Sequence, residues 1–539
     1  MLSLLCYIYP LLICGYEPPE VSIGWSRIMG MSQKVINNEN GKEGKINIFL
    51  GVPYAEPPLN GYRFRPPEPI KSVNYFGYYA GKFKPRCISP DYYDKFLGST
   101  YDDQQEDCLY LNIWSPANLT DPKDLKPVLV YIHDSSVDVR TIDGKTLSHL
   151  GDMVVITFDY RTGLFGLIEG YDDQISDNAI FHDTKAVLKW IQDNVSRLGG
   201  DPSRVTLFAD GWESLRAGLQ FSYAINEKLF AQMILRNGNS FSTSVELNPS
   251  IHWQDVLEVA EKVGCDQKKN QLLLLYCLRN SDAKDLINGY LSINGSGHSL
   301  DLHHPWVNSP EVITKSFTLD GFISESWSKM PPVLMIQMIS ADDVRKIALD
   351  RNHLEQIEQM VKSLELKEIK HKSCHSGPMG SKELTSWTAR HLLECPFINL
   401  GQEIAQTGPV YSLLIDYGPS SEIPEDAFLF KKASSSYLEV LFGIPLTNQK
   451  YYSDDANQLS REVVKVLTEF VAQGKVKWPQ LVNKETKSDE NVSISASSSS
   501  SSPTTNPAYH QYWMTSDVCP QLTDLSLKVK LCQLASNQW

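Results

Sequence analysis

The sequence contains no Gly-x-Ser-x-Gly motif, no block of basic residues and, after residue 15, no apolar run long enough to span a bilayer. A spanning helix needs about 20 consecutive apolar residues, so we expect no membrane span. The formal net charge is -14. Because no basic segment offsets this charge, nucleic acid is excluded as a partner. Cys374 and His375 lie near His371 without a second ligand cluster, so neither a metal nor another cofactor is predicted.

The composition is that of a globular protein. The 539 residues are 42% hydrophobic and 10% aromatic, which is enough to form a large packed core. No linker interrupts the chain, so we predict one domain over residues 16–539. Residues 485–506 include six consecutive serines and few apolar groups, and they are predicted to form a disordered surface insertion.

Residues 1–15 form an apolar run of signal-peptide length, followed by a polar segment that contains proline. The alternative is a buried first strand, because no Lys or Arg follows Met1. The signal-peptide interpretation predicts secretion, where an even set of cysteines favours disulfide bonds, although eight cysteines allow 105 pairings. The eight that follow the signal are Cys87, Cys108, Cys265, Cys277, Cys374, Cys395, Cys519 and Cys532. Glycosylation sequons, which fit the same compartment, occur at Asn118, Asn194, Asn294 and Asn491.

Buried strands alternate with a helical segment in the first half of the chain. Residues 127–133, 153–160 and 204–208 are nearly continuous apolar runs, typical of strands buried on both faces of a parallel sheet. Residues 183–195 carry apolar side chains at helical spacing. The order strand, helix, strand predicts an α/β fold with a doubly wound, mostly parallel sheet. Further strands are predicted at residues 332–339, 409–415 and 509–514.

Six segments then give the chain a resemblance to the type-B carboxylesterase and cholinesterase family, whose members have the α/β-hydrolase fold. The resemblance extends over the whole chain after the signal, and it implies that fold for residues 16–539. The segments are GVPYAEPP at 51–58, RFRPPEP at 63–69, EDCLYLNIWSP at 106–116, DYRTGLFG at 159–166, LGGDPSRVTLF at 198–208 and LFGIPL at 441–446.

The resemblance also implies covalent and ionic pairs. The implied disulfide bonds are Cys87–Cys108, Cys265–Cys277 and Cys395–Cys519. Cys374 and Cys532 either pair with each other or leave Cys532 to bridge to another subunit. The implied buried ion pairs are Arg63 with Glu106 and Arg161 with Asp201.

The family's nucleophile position differs in this chain. An α/β-hydrolase carries its serine in Gly-x-Ser-x-Gly, on a sharp turn after a strand. After the strand VTLF this chain reads Ala-Asp-Gly-Trp-Glu, which places Gly211 at the position of the serine. Glycine has no side chain that attacks a carbonyl. Ser214 is the alternative nucleophile, but Trp212 and Arg216 stand where the turn requires glycine.

The remaining catalytic positions also depart from the family pattern. Ser434 stands where the family has its histidine base, and serine does not accept a proton near neutral pH. Asp342 matches the triad acid. The glycine loop that supplies oxyanion-binding N–H groups is replaced by His133, Asp134, Ser135 and Ser136, whose aspartate repels a developing oxyanion. We therefore predict that the chain has no triad and is not an enzyme.

Family members without catalysis are mostly binding proteins. The altered turn and loop are most similar to the C-terminal domain of thyroglobulin, and neuroligin-like and glutactin-like proteins are related cases. We predict a secreted, glycosylated, non-catalytic module that binds an extracellular protein or acts as a carrier. The alternative is a divergent carboxylic-ester hydrolase that uses Ser214. The resemblance also implies a homodimer through C-terminal helices, for which residues 522–534 are the candidate segment.

Overall fold

A computed structural model of the chain describes residues 18–24, 26–36, 41, 43–71, 74–89, 104–134, 137–167, 179–210, 214, 228–236, 249–266, 270–294, 331–339, 408–416, 433–477, 494–496 and 509–515. The chain divides into two compact units. The first comprises Met1–Leu207, Leu219–Ala231 and Glu246–Thr314, and the second comprises Phe208–Gly218, Gln232–Val245 and Lys315–Trp539. The prediction of one domain over residues 16–539 stays a prediction.

The first unit contains most of the strands. Its strands are β1 (Glu20–Ile23), β2 (Ser26–Met29), β3 (Met31–Ile36), β4 (Glu43–Pro53), β5 (Asn74–Tyr79), β6 (Arg86–Cys87), β7 (Gln104–Gln105), β8 (Tyr110–Ser115), β9 (Lys126–Ile132), β10 (Val154–Phe158) and β11 (Gly200–Asp210), whose last three residues belong to the second unit. Its helices are α1 (Lys145–Gly151), α2 (Gly163–Leu167), α3 (Ala179–Asn194), α4 (Pro249–Lys262), α5 (Gln271–Asn280) and α6 (Ala283–Asn294).

The main sheet of the first unit has the strand order β11-β9-β10-β8-β4-β3. Strands β9 and β10 are parallel, whereas β8 pairs antiparallel with both β10 and β4. Every residue of β10 is buried, as the apolar sequence predicts for a strand covered on both faces. Two smaller sheets contain β1-β2-β5 and β6-β7.

An ion pair implied by the resemblance connects the first unit's loops to its helices. Arg63 donates from Nε and Nη2 to the two carboxylate oxygens of Glu106, each at 2.6 Å. Its Nη1 donates to the main-chain oxygens of Leu278 and Ser281 at 2.8 and 2.7 Å. Arg63 thereby satisfies carbonyl groups at and just beyond the end of α5, which have no partner within the helix.

The second implied ion pair is wrong. Arg161 pairs with Asp183 of α3, donating from Nη2 at 2.6 Å and from Nε at 2.9 Å. Asp201 instead accepts from Ser203 and from Arg204, close by in the sequence. The main-chain N–H of Arg161 also donates to Asp183. The packing of α3 therefore supplies the buried carboxylate that Arg161 needs, while Asp201 stabilises its own turn.

Disulfide bonds Cys87–Cys108 and Cys265–Cys277 are both present. The second joins the segment just after α4 to α5, inside a cluster of buried side chains that includes Leu274 and Leu278. Cys395 and Cys519 lie outside the described residues, as do Cys374 and Cys532. For these four cysteines the pairing stays a prediction.

The second unit contains the remaining elements. They are β12 (Gln232–Arg236), β13 (Val333–Ile339), β14 (Val410–Asp416), α7 (Ala433–Leu441), α8 (Ile444–Thr447), α9 (Asp454–Gln473), β15 (Ile494–Ala496) and β16 (Tyr509–Thr515). From the end of β11 the strand order is β11-β12-β13-β14-β16-β15. Strands β12, β13, β14 and β16 are mutually parallel, and β15 pairs antiparallel with β16.

The α/β fold class is confirmed. Each strand predicted from an apolar run is present, and the helix predicted at residues 183–195 lies within Ala179–Asn194 and the turn after it. Within the predicted insertion at residues 485–506, however, Ile494–Ala496 form a strand. This strand pairs antiparallel with β16. Antiparallel pairing uses main-chain N–H and C=O groups, so it does not depend on apolar side chains in the serine-rich segment. The other residues of the insertion lie outside the described part of the chain.

Candidate functional site

Ser214, the alternative nucleophile, is a buried residue of the second unit. Only 1% of its surface is exposed. Its Oγ lies 3.1 Å from the main-chain oxygen of Ala209 and 3.0 Å from that of Arg236. A carbonyl oxygen only accepts, so the hydroxyl hydrogen is used as a donor to the backbone. A nucleophilic serine needs instead a base that accepts this hydrogen and a path to substrate.

A buried ion pair lies beside Ser214, at the carboxyl ends of neighbouring strands. Asp210 ends β11 and Arg236 ends β12. The Nη2 of Arg236 donates to Oδ2 of Asp210 at 2.5 Å, and the two side chains are 8% and 1% exposed. The signal available in the sequence was one charged residue at the end of each of two buried strands. Charge at the end of a strand does not by itself indicate a partner, so the pair was not predicted.

His133, the first residue of the predicted oxyanion-loop segment, follows β9 in the first unit and is buried. Its Nδ1 lies 2.8 Å from the main-chain oxygen of Asp134 and therefore carries a hydrogen. Its Nε2 lies 3.4 Å from Oδ1 of Asp159. Burial by itself lowers the pKa of His133, but the Asp159 carboxylate and the Asp134 carbonyl outweigh burial, so the pKa lies above its ordinary value. Nδ1 of the ring is thus held as a donor to the backbone.

Two hydrogen bonds to main-chain oxygens hold the described residues around His133. The main-chain N–H of Val137 donates to the main-chain oxygen of Asp134 at 2.8 Å. The hydroxyl of Tyr160 donates to the main-chain oxygen of His133 at 2.5 Å, which holds the chain just after β9.

The loop continues into a second ion pair. Asp138 accepts from Nε and Nη2 of Arg140, the latter at 2.6 Å. Burial raises the pKa of Asp138, but Arg140 and Arg86 outweigh that effect, and the net pKa is lowered. This part of the chain therefore contains one carboxylate, Asp138, that is held in its charged form and paired with Arg140.

The predicted catalytic positions are described only in part. Ser434 lies in the first turn of α7, of which the structure gives the backbone but not the side chain. Gly211, Asp342, Ser135 and Ser136 lie outside the described residues. Their chemistry therefore stays a prediction from the sequence.

One titratable group five residues after Ser434 is not indicated by any sequence motif. Glu439, in the last turns of α7, is buried and accepts a hydrogen bond from the hydroxyl of Tyr452 at 3.0 Å. Burial raises the pKa of Glu439 to about 7, although the Tyr452 hydrogen bond lowers it in part. A buried acid is a candidate proton donor, but its bond to a tyrosine beside α9 is equally a packing contact.

Within the described ranges, no group of three or more His, Cys, Asp or Glu residues is arranged to hold a metal ion. The same part of the chain contains no helix with both the length and the apolar character needed to cross a membrane. The described residues around the predicted site include two separate ion pairs, Asp138 with Arg140 and Asp210 with Arg236. Ser214 is bonded to the backbone instead of to a base.

Comparison with known proteins gives a consistent family. The family model described as "Carboxylesterase family" matches residues 17–513. Thyroglobulin of Bos taurus is 33% identical over 309 residues, which are 54% of this chain and 11% of thyroglobulin. Carboxylesterase 1C of Mus musculus is 30% identical over 291 residues, or 52% of this chain and 51% of that enzyme.

Liver carboxylesterase 1 of Oryctolagus cuniculus is 31% identical over 323 residues, covering 57% of this chain and 54% of that protein. The chain thus spans about a tenth of the length of thyroglobulin and about half of each carboxylesterase that it matches. Identity is similar to both kinds of relative, so it does not by itself separate a hydrolase from a protein with another role.

Proposed function

The chain belongs to the carboxylesterase family, and we propose that it is a secreted member that binds a protein partner and does not hydrolyse esters. The proposal starts from the nucleophile position, where Gly211 has no side chain. The base position carries Ser434, and the glycines of the oxyanion loop are replaced. When one member of a triad is removed, the oxyanion hole still supplies some catalysis. In this chain we infer that the triad and the oxyanion hole are both altered.

The observation that carries this proposal is the environment of Ser214. It is the serine nearest to the expected nucleophile in sequence, and it is buried with its hydroxyl bonded to the backbone. To attack an ester, Ser214 would have to lose those hydrogen bonds and become exposed to substrate. The described geometry therefore supports a packing role for Ser214 and argues against the alternative hydrolase.

Covalent labelling distinguishes binding from hydrolysis. A fluorophosphonate probe reacts with activated serine nucleophiles, so we expect no labelled peptide from the full chain. Turnover of p-nitrophenyl acetate should equal that of the Ser214→Ala variant, which is the matched control. A probe adduct mapped to Ser214, together with loss of turnover in Ser214→Ala, would overturn the proposal in favour of the hydrolase.

Binding and secretion require separate measurements. The chain expressed in a secretory host should appear in the medium without residues 1–15, and retention inside the cells would contradict secretion.

The purified protein should retain one extracellular protein at a defined stoichiometry in size-exclusion chromatography. Copurification of a small apolar molecule, detected by mass spectrometry of an organic extract, would identify a carrier instead.

A further inference from the structure

Asn118 lies on a rigid turn between β8 and β9 of the first unit. The residue before it, Ala117, is 2% exposed, and its main-chain oxygen accepts from Nδ2 of Asn47 at 3.0 Å. Asn118 itself is exposed. Its main-chain N–H donates to Oδ2 of Asp124 at 2.8 Å, which closes the turn. The backbone of this turn is therefore fixed while the Asn118 side chain faces solvent.

The hydrogen bonds of the Asn118 side chain involve only its oxygen. Oδ1 accepts from the main-chain N–H of Thr120 at 3.2 Å and from the Thr120 hydroxyl at 2.8 Å. Within the part of the chain that the structure describes, Nδ2 of Asn118 donates no hydrogen bond. Nδ2 of Asn118 is therefore available for reaction. The hydrogen bond from the Thr120 hydroxyl to Oδ1 withdraws electron density from the amide, which makes the hydrogens on Nδ2 more acidic.

Asn194, the second described sequon residue, has the opposite arrangement. It ends α3 and is only half-buried, and its Nδ2 donates to the main-chain oxygen of Trp190 at 2.9 Å. Its Oδ1 accepts from Nη1 of Arg197 and not from Ser196, the hydroxyl residue of its own sequon. The next residue, Val195, is fully buried. The amide nitrogen of Asn194 is thus used to complete the helix end.

We propose that Asn118 carries an N-linked glycan and that Asn194 does not. In the transfer, Nδ2 of Asn118 forms a bond to the anomeric carbon of an oligosaccharide linked to a lipid pyrophosphate. The bond between that carbon and the pyrophosphate oxygen breaks, the pyrophosphate leaves with the electron pair, and a carboxylate base of the transferring enzyme accepts one proton from the amide. Every hydrogen bond of the two sequons spans six residues or fewer, so both arrangements can form before the chain has folded completely.

The glycan position also bears on the proposed function, on which this step rests. Asn118 lies at the edge where β9 and β10 begin, whereas His133 lies where β9 ends. The seven residues of β9 separate the two edges by about 20 Å. A glycan on Asn118 would cover the first edge and would lie away from the His133 edge of this unit.

Site-specific mass spectrometry tests the assignment. The full chain is expressed in eukaryotic cells behind an added secretion signal, so that it enters the secretory route whatever residues 1–15 do. Release of glycans by peptide N-glycosidase in heavy-oxygen water converts each occupied asparagine to a labelled aspartate. We expect the label at Asn118 in most molecules and its absence at Asn194. An unlabelled Asn118, or equal labelling at both residues, would overturn the assignment.

Three variants separate the effect of local structure on glycan occupancy from the effect of the hydroxyl residue in the sequon. Ser196→Thr gives Asn194 the same sequon chemistry as Asn118, and it should leave Asn194 unoccupied. Thr120→Ser keeps a hydroxyl that can donate to Oδ1, so Asn118 should remain occupied, whereas Thr120→Ala should abolish occupancy. Full occupancy of Asn194 in Ser196→Thr would contradict the structural argument. These readouts are independent of ester hydrolysis, so they fail separately from the proposed function.

Discussion

At the scale of single residues, buried charges in the described parts of the chain are held by specific partners. Asp183 is completely buried, and its carboxylate accepts from the Arg161 side chain and main chain. Arg236 and Asp210 form a similar pair at the ends of two strands. Removing one partner of such a pair leaves the other charge buried, which costs more than the loss of the contact alone.

We expect Asp183→Ala to lower the free energy of unfolding by about 3–5 kcal/mol, because Arg161 would remain buried without its carboxylate. The measurement is urea denaturation followed by fluorescence. Asp201→Ala is the control, and it should cost about 1 kcal/mol or less because its partner Arg204 is 40% exposed. Equal costs for the two variants would contradict the view that loss of the Asp183 carboxylate is costly because it leaves the buried Arg161 unpaired.

Gly211→Ser places a hydroxyl at the predicted nucleophile position, and we expect no gain in turnover of p-nitrophenyl acetate. The predicted base position would still carry Ser434 in place of a histidine. Circular dichroism would establish that the variant is folded. Measurable hydrolysis by Gly211→Ser alone would show that another residue supplies the base.

At the scale of elements, α7 carries a pH-sensitive contact. The pKa of Glu439 is raised from 4.5 to about 7, first by burial. Between these two pH values the folded chain holds a proton that the unfolded chain has released. The contribution of Glu439 to stability is therefore complete below pH 4.5, decreases as the pH rises through this interval, and is lowest above about pH 7.

Glu439→Gln keeps a polar group beside Tyr452 and cannot ionise. We expect the variant to be more stable than wild type above about pH 7, by about 1–2 kcal/mol, with the difference vanishing towards pH 4.5. Thermal unfolding across this pH range measures the difference. Glu469→Gln, on the partly exposed side of α9, is the matched control. A difference that does not vary with pH would exclude titration of Glu439 as its source.

The disulfide Cys265–Cys277 closes a short loop between α4 and α5. Replacing both cysteines by alanine should destabilise the chain by about 3 kcal/mol, from the entropy that the unfolded loop regains. Unfolding in denaturant under non-reducing conditions measures the loss. Reducing agent should cost wild type at least as much, and an unchanged midpoint in the double variant would contradict a stabilising role for the bond.

Elements could be predicted from the sequence more completely than contacts could. Continuous apolar runs identified β9, β10, β13 and β14, because burial on both faces leaves a signal in the strand itself. The partner of Arg161 was missed, because Asp183 becomes its neighbour only through the packing of α3. The pair of Asp210 with Arg236 was missed for the same reason, since 26 residues separate them in sequence.

At the scale of the whole molecule, the resemblance predicts association of two copies through residues 522–534. Light scattering at micromolar concentration should give twice the mass of a single chain, as measured by mass spectrometry on the same denatured sample. A chain that ends at residue 521 should give the single mass with unchanged circular dichroism, because the interface and not the fold would be lost. A monomer for the full chain would contradict the prediction.

Arg63 has a consequence for the rate of folding. Its hydrogen bond to the main-chain oxygen of Leu278 closes a loop of 215 residues. The entropy of closing a flexible loop of that length costs about 5 kcal/mol, and contacts so distant in sequence form slowly. Until they form, the carbonyl groups at the end of α5 and the Arg63 guanidinium both stay hydrated. We therefore expect the contacts of this one side chain to form after the local hydrogen bonds of α5.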